Sequence, residues 1–206
     1  MKLQFGQLII QDKEVARLEE LGYTPETLKM DVGYHKSSLT GEPSIYCGTY
    51  AKYNDGNLCG LWLDLSSFDD YDEFIIFCKA LHADEDDPEL MFQDYEGFPR
   101  EWYSESGFDE ETFNNIKEYS ELCDKHSKEA VDAFMGWGCE ELEHFDDCYV
   151  GEYKSEVDYA QELIDECYDL DRLMGNLACY FDYAAFARDL FMSDYYFDDG
   201  FVFRRY

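Results

Sequence analysis

The chain has 206 residues, of which 48 are acidic and 16 basic, for a formal net charge of −32. That balance excludes a free-standing nucleic-acid binder, which needs a basic footprint, and an anionic membrane surface would repel it. No apolar run approaches the roughly 20 residues of a spanning helix, and with 46% hydrophobic and 18% aromatic residues the chain has enough apolar material to fold.

Met1 to Glu14 has no basic region followed by an apolar stretch, because Asp12 and Glu14 arrive too early. The expectation is a protein without a secretory signal, working in the cytoplasm. Residues 1–43 carry a net charge of only −2 and end in the loop-like Ser37-Ser38-Leu39-Thr40-Gly41-Glu42-Pro43, so they read as an N-terminal extension packed against the first hairpin. Residues 44–106, 107–145 and 146–206 carry −12, −8 and −10 and read as three successive domains: α+β, helical and α+β.

Ser44–Tyr53 and Leu58–Leu65 are β-prone runs, and Asn54-Asp55-Gly56-Asn57 between them predicts a hairpin turn. A helix comes next, capped within Ser66–Asp70, with Phe74, Phe77, Cys78 and Leu81 at helical spacing; Asp84-Glu85-Asp86-Asp87-Pro88 ends it. Phe92 to Pro99 reads as a loop. Asp109 starts a second helix carrying Phe113, Ile116 and Cys123 inward, and a third covers Glu129 to Met135. Gly136 and Gly138 argue against a continuous helix over 136–151.

Ser155 and Asp158 form a helix start signal. In that helix Val157, Ala160, Ile164 and Cys167 make an apolar stripe, and Asp158, Glu162, Asp165, Glu166 and Asp169 an acidic one. Another helix runs from about Asp182 to Met192. Tyr195-Tyr196-Phe197, Asp198-Asp199-Gly200 and Phe201-Val202-Phe203 read as a hairpin. Helices and hairpins alternate without a βαβ rhythm, so the fold class is α+β, an elongated multi-domain chain of small antiparallel sheets and short helices.

Familiar catalytic patterns are missing: the sequence has no phosphate-binding glycine loop, no GxSxG and no HExxH. The eight cysteines show no CxxC pair. Cys123, His126, Cys139, His144 and Cys148 come nearest to a metal pattern, but they lack the second close pair of a zinc finger and read as ordinary thiols and histidines. No metal, cofactor or catalytic residue is expected. With 48 acids, a carboxylate pair at glycosidase spacing carries almost no information.

One magnitude gives the acidity a sharper meaning. Duplex DNA carries one charge per roughly 1.7 Å of axis, so 32 charges match about 54 Å of duplex. A compact chain of this length has a diameter of about 43 Å. The charge per unit length is DNA-like.

Several runs, in order, resemble the ArdA antirestriction proteins: Ile45-Tyr46-Cys47-Gly48-Thr49-Tyr50-Ala51-Lys52-Tyr53, Gly60-Leu61-Trp62-Leu63-Asp64-Leu65, Met91-Phe92-Gln93-Asp94-Tyr95-Glu96-Gly97-Phe98-Pro99, Gly151-Glu152-Tyr153-Lys154-Ser155-Glu156, and Tyr180 to Phe191. The resemblance spans 44–206 and leaves out the extension. It implies a non-enzymatic three-domain protein that dimerises through its C-terminal domain into a curved, DNA-like rod. It also implies a partner, a type I restriction-modification enzyme whose DNA groove is occupied, and carriage by mobile elements.

On this reading the partner-facing acids are Asp69, Asp70, Asp72, Glu73, Asp84, Glu85, Asp86, Asp87, Asp94, Glu96, Asp109, Glu110, Glu111 and Glu118, together with the acidic stripe from Asp158 to Asp169. The dimer surface is placed at Tyr183, Phe186, Tyr195, Tyr196 and Phe197, with Arg188, Arg204 and Arg205 among the rings. Two other classes stay open: an acidic protein that blocks some other basic surface, and a carboxylate hydrolase, which a cleft with strongly raised carboxylate pKa values would favour.

Overall fold

A computed structural model describes residues 3–5, 8–10, 15–138 and 141–205. The chain divides into two compact units, residues 1–121 and 122–206. Both are α+β.

The first unit opens with a small antiparallel pair, β1 (Leu3–Phe5) and β2 (Leu8–Ile10), then α1 (Val15–Glu20) and α2 (Pro25–His35). Thr24 and Thr27 cap α2 reciprocally, with Pro25 at its first turn, where a missing N–H costs nothing. Next is a three-stranded antiparallel sheet in the order β4-β3-β5, from β3 (Ser44–Thr49), β4 (Leu61–Asp64) and β5 (Leu90–Glu96). A register shift between Tyr46 and Cys47 marks a bulge against β5. The helix α4 (Tyr71–Leu81) buries Phe74, Phe77, Cys78 and Leu81. The Phe74 ring lies 5.3–5.7 Å from those of Phe68, Phe92, Phe108 and Phe113. Phe113 sits on α5 (Glu110–Lys125), so this aromatic cluster joins strand, helix and loop.

The expected hairpin between β3 and β4 is a different connection. The two strands pair as expected, but Thr49 accepts a hydrogen bond from Lys52 N, and Tyr50–Asn54 winds into a short helix, α3, before Gly56 turns the chain. The capping threonine starts a helical turn before the Asn-Asp-Gly signal is reached. Phe92 to Pro99, expected as a loop, supplies most of β5. Gly97 and Pro99 only terminate that strand: Gly97 has φ of +84°, and a side chain there would strike the Glu42 carbonyl.

Residues 15–43 pack on the sheet. Lys36 bridges Leu63, Ser37 N donates to Trp62 O at 3.0 Å, and the buried His35 stacks on Phe68 at 3.9 Å while bonding Ser67 Oγ at 2.9 Å.

The second unit contains α6 (Lys128–Gly136), α7 (Phe145–Cys148), β6 (Tyr149–Glu152), α8 (Glu156–Cys167), α9 (Leu170–Met174), α10 (Tyr183–Ser193), β7 (Tyr195–Asp198) and β8 (Phe201–Arg204). Its sheet is antiparallel in the order β6-β8-β7. Asp199 and Gly200 both have positive φ, the geometry of a two-residue hairpin turn whose twist matches the strands it joins. Strand β8 is central and covered on both faces: Val202 packs with Tyr159 and Phe191, while Phe203 meets Phe134, Phe145 and Tyr149. The buried face of α8 is Tyr159, Ala160 and Ile164. Contrary to the expected stripe, Cys167 is exposed and Val157 half-buried; the tyrosine hydroxyl disguised its ring as surface in the sequence.

The loop at 37–44 wraps around one carboxylate. Glu42 accepts from Ser37 Oγ, Ser38 N, Thr40 N and Thr40 Oγ1 at 2.7–2.9 Å. Partial burial alone would raise its pKa, but the donors on Thr40, its own backbone and Ser37 outweigh this and bring it down to about 2. Because the folded pKa lies below the unfolded one, this stabilisation is present above the ordinary glutamate range and is lost as pH falls toward 2. Glu42→Gln is expected to lower stability at pH 7 by about 1 kcal/mol, allowing for the group's partial exposure. Urea unfolding at a series of pH values checks this: the gap from wild type should close below pH 4, and a gap independent of pH would contradict the assignment.

Candidate acidic interaction surface

The helices and their caps place most of the predicted acids outward. Asp69, Asp70, Asp72, Asp84, Asp86, Asp87, Asp94, Glu96, Asp109, Glu110, Glu111, Asp158, Glu162, Asp165, Glu166 and Asp169 are exposed, and Glu73, Glu85 and Glu118 half-buried. Many have local structural work. Asp70 accepts from Glu73 N at 2.8 Å and Glu73 from Asp69 N at 2.7 Å, a reciprocal cap on α4. Asp109 caps α5 and Asp169 caps α9. Asp84 and Glu85 hold Lys52 Nζ at 2.9 and 2.8 Å, and Asp86 pairs with Arg17.

Asp69, Asp72, Asp87, Glu96, Glu110, Glu111, Asp165 and Glu166 are different: among the described residues no cation lies within ion-pair distance of them. Glu42, Glu85, Asp109 and Asp146 are each shifted downward, toward the ionised form. Around the end of α8 a shallow depression of about 860 Å³ is lined by Asp165, Glu166, Tyr168, Asp169, Asp171 and Tyr183 among others, an acidic hollow.

The acidic face of α8 is costly to hold. Asp158, Glu162 and Glu166 succeed one another at i,i+4, where like charges destabilise a helix by roughly 0.2–0.5 kcal/mol per pair. Asp165 and Glu166 sit in the last turn, which carries no basic residue. The helix dipole disfavours anions there by about 0.3–1 kcal/mol each. Tyr153 donates to Glu162 at 3.0 Å and Ser155 to Asp158 at 2.7 Å, which leaves the cost at Asp165 and Glu166.

The histidines and cysteines of the metal-like pattern are engaged elsewhere. His126 Nε2 meets Asp146 Oδ1 at 2.8 Å, Lys125 Nζ holds the other carboxylate oxygen at 2.5 Å, and Cys148 is buried. Cys123 is half-buried rather than turned fully inward, and Cys139 lies outside the described residues. His82, Asp84 and Glu85 converge, but on the Lys52 ammonium. Glu141, Glu143 and His144 form a second, largely exposed cluster.

The aromatic residues assigned to a dimer surface are all half-buried. Tyr195 and Phe197 pack with Tyr159 and Phe191 in their own unit's core, and Tyr196 stacks on Trp137 at 5.3 Å. Tyr183 and Phe186 lie beside Phe181 at 4.9 and 5.8 Å. The most exposed large apolar residues of this unit are Tyr168 (54%), Leu173 (63%), Leu177 (60%), Tyr180 (80%) and Met192 (70%). The leucines and Tyr168 escaped sequence reasoning. The usable signal was leucine without amphipathic spacing between Leu170 and Tyr180.

Outward carboxylates over two aromatic α+β cores define an acidic protein. Residues 45–203 match the family model of the antirestriction protein ArdA, and the chain belongs to that family. No curated protein matches it. Among the described residues no helix is long and apolar enough to cross a membrane.

Proposed function

We propose that this antirestriction protein is a mimic of DNA that occupies the DNA-binding groove of type I restriction-modification enzymes and blocks them stoichiometrically, without catalysis. The observation that carries the reading is the face of α8. Asp158, Glu162 and Glu166 repel one another at i,i+4, and Asp165 and Glu166 stand in the last turn against the helix dipole, with Asp169 just beyond them as the cap of α9. Local rules broken without a structural return point to function. Acids one helical turn apart are about 5.4 Å apart along the axis, a phosphate-like scale. Lys and Arg of a DNA groove take carboxylates as they take phosphates, and with no base edges presented the target's recognition sequence is irrelevant.

The other outward acids, including those at 69–73, 84–87, 94–96 and 109–118, extend the same field. In this reading the segments 44–106, 107–145 and 146–206 all carry the charge, and the extension 1–43 contributes little of it. The protein acts in the bacterial cytoplasm, where restriction occurs, and is carried by a mobile element. Its expression is expected to raise the plating efficiency of unmodified phage on a type I restricting host by at least tenfold. Unchanged plating across several such systems, with soluble protein present, would overturn the reading.

We also propose a homodimer joined through the C-terminal unit, since two chains roughly double the 54 Å of duplex charge matched by one. The exposed apolar residues Tyr168, Leu173, Leu177 and Tyr180 suit that contact better than Tyr195 and Phe197, which their own core uses. Light scattering at micromolar protein should give twice the 24.3 kDa chain mass. Leu173→Glu with Leu177→Glu should return it to one chain. A dimer that survives this double substitution places the interface elsewhere.

A further inference from the structure

A hollow between α2 and the first sheet stands apart from the charged surface. It measures about 640 Å³, a size that suits a small ligand, and Gly33, Lys36, Leu39, Tyr46, Gly60 and Trp62 contribute to its walls. In a chain of net charge −32 this lining is unusual, because Lys36 is the one charged residue among the described residues that form it. Among the described residues, no carboxylate lies within ion-pair distance of Lys36.

Two residues of the wall are placed against local preference. Gly33 lies inside α2, where alanine would hold the helix better. A side chain there would meet nothing within 4 Å, so no packing demands the glycine. Its effect is to leave that wall of the hollow bare. Leu39 has φ of +54°, a left-handed conformation that a leucine adopts only under constraint. Its side chain is exposed, so burial does not repay the strain.

The constraint on Leu39 comes from its neighbours. The Glu42 carboxylate accepts from Ser38 N and Thr40 N, one on each side of Leu39, and Leu39 N donates to Ser37 Oγ at 2.9 Å. The rim is therefore set before anything binds. Tyr46 and Trp62 are set as well: their rings meet edge to face at 5.6 Å, and the Tyr46 hydroxyl donates to Leu58 O at 2.8 Å. Strain and a helix glycine, both without a return in packing, point to a site.

We propose that this hollow binds a small planar aromatic molecule carrying one anionic group. The ring lies against Trp62 and Tyr46, the bare backbone at Gly33 lets it approach α2, and the Lys36 ammonium takes the anion. An anion is tolerated here because no acid lines the hollow, whereas the outward carboxylates elsewhere repel it. An added peptide strand fits less well. Ser37 N already bonds Trp62 O and Lys36 bridges Leu63, so this edge of β4 is partly taken.

The test follows the backbone amide and indole N–H signals of the isotope-labelled full chain by NMR while naphthoate is added. Naphthamide, its neutral counterpart, and inorganic phosphate, an anion without a ring, are added separately. Naphthoate is expected to move the signals of Gly33, Lys36, Leu39 and Trp62 saturably, and to bind about tenfold more tightly than naphthamide. Phosphate should leave them unmoved. Lys36→Met should reduce naphthoate binding to the level of naphthamide, and Gly33→Leu, which fills the hollow, should abolish both. Because position 33 faces open space, the melting temperature of the Gly33→Leu protein should not fall. Signals that do not move, or that move as far with phosphate, would overturn the proposal. So would equal affinity for naphthoate and naphthamide, the mark of an apolar surface for a polypeptide. Movement of the same signals on raising protein concentration alone would put a second copy of the chain in the hollow instead.

Discussion

Self-repulsion among 48 carboxylates on 206 residues is the constraint on which the rest of this structure depends. Each unit must hold together while its surface pushes apart, and apolar burial is the non-directional force available for that. The cores are accordingly aromatic. In the first unit Phe68, Phe74, Phe77, Phe92, Phe108 and Phe113 make one connected cluster; in the second, Phe134, Phe145, Phe203 and Tyr149 lie on one side of β8, with Tyr159 and Phe191 on the other. Large rings bury much surface per residue and gain further from edge-to-face contact, which suits small cores beneath a charged shell.

The same charge is also put to local use. Asp70, Asp109, Asp169 and Asp182 cap the starts of α4, α5, α9 and α10, where unsatisfied N–H groups and the positive end of the dipole welcome an anion. Acids there stabilise the fold and charge the surface at once. The end of α8 breaks this pattern, since Asp165 and Glu166 occupy a last turn that favours cations. Such acids are retained at a cost to the helix, unlike the caps, whose charge serves the fold.

The helices were legible because their signals are local. Asp70, Asp109, Ser155 and Asp182 each precede an apolar pattern at helical spacing, and each caps the helix expected of it. The C-terminal hairpin was equally plain from Asp199-Gly200 between two aromatic runs. Strand β5 was not, because Gly97 and Pro99 made the whole stretch look irregular, and its pairing with β3 is a long-range fact that no local window contains. The Asn54-Asp55-Gly56 signal misled because Thr49, five residues earlier, had already started a helical turn. Exposure of the acids followed from their chemistry. Their division into caps, ion pairs and unpaired charges did not, since Lys52 and Arg17 reach their carboxylates across more than thirty residues of sequence. The aromatic residues near the C-terminus looked like surplus surface until Tyr159 and Phe191 supplied the core that takes up Tyr195 and Phe197.

The central claim is that carboxylates stand in for phosphates on a basic groove, and competition between this protein and duplex DNA for one type I restriction-modification enzyme, measured over a series of salt concentrations, tests it most directly. The account predicts mutual displacement, with the protein's affinity falling steeply as salt rises, because exposed charges are screened beyond about 8 Å at 0.15 M. Simultaneous binding of protein and DNA, or an affinity indifferent to salt, would contradict it.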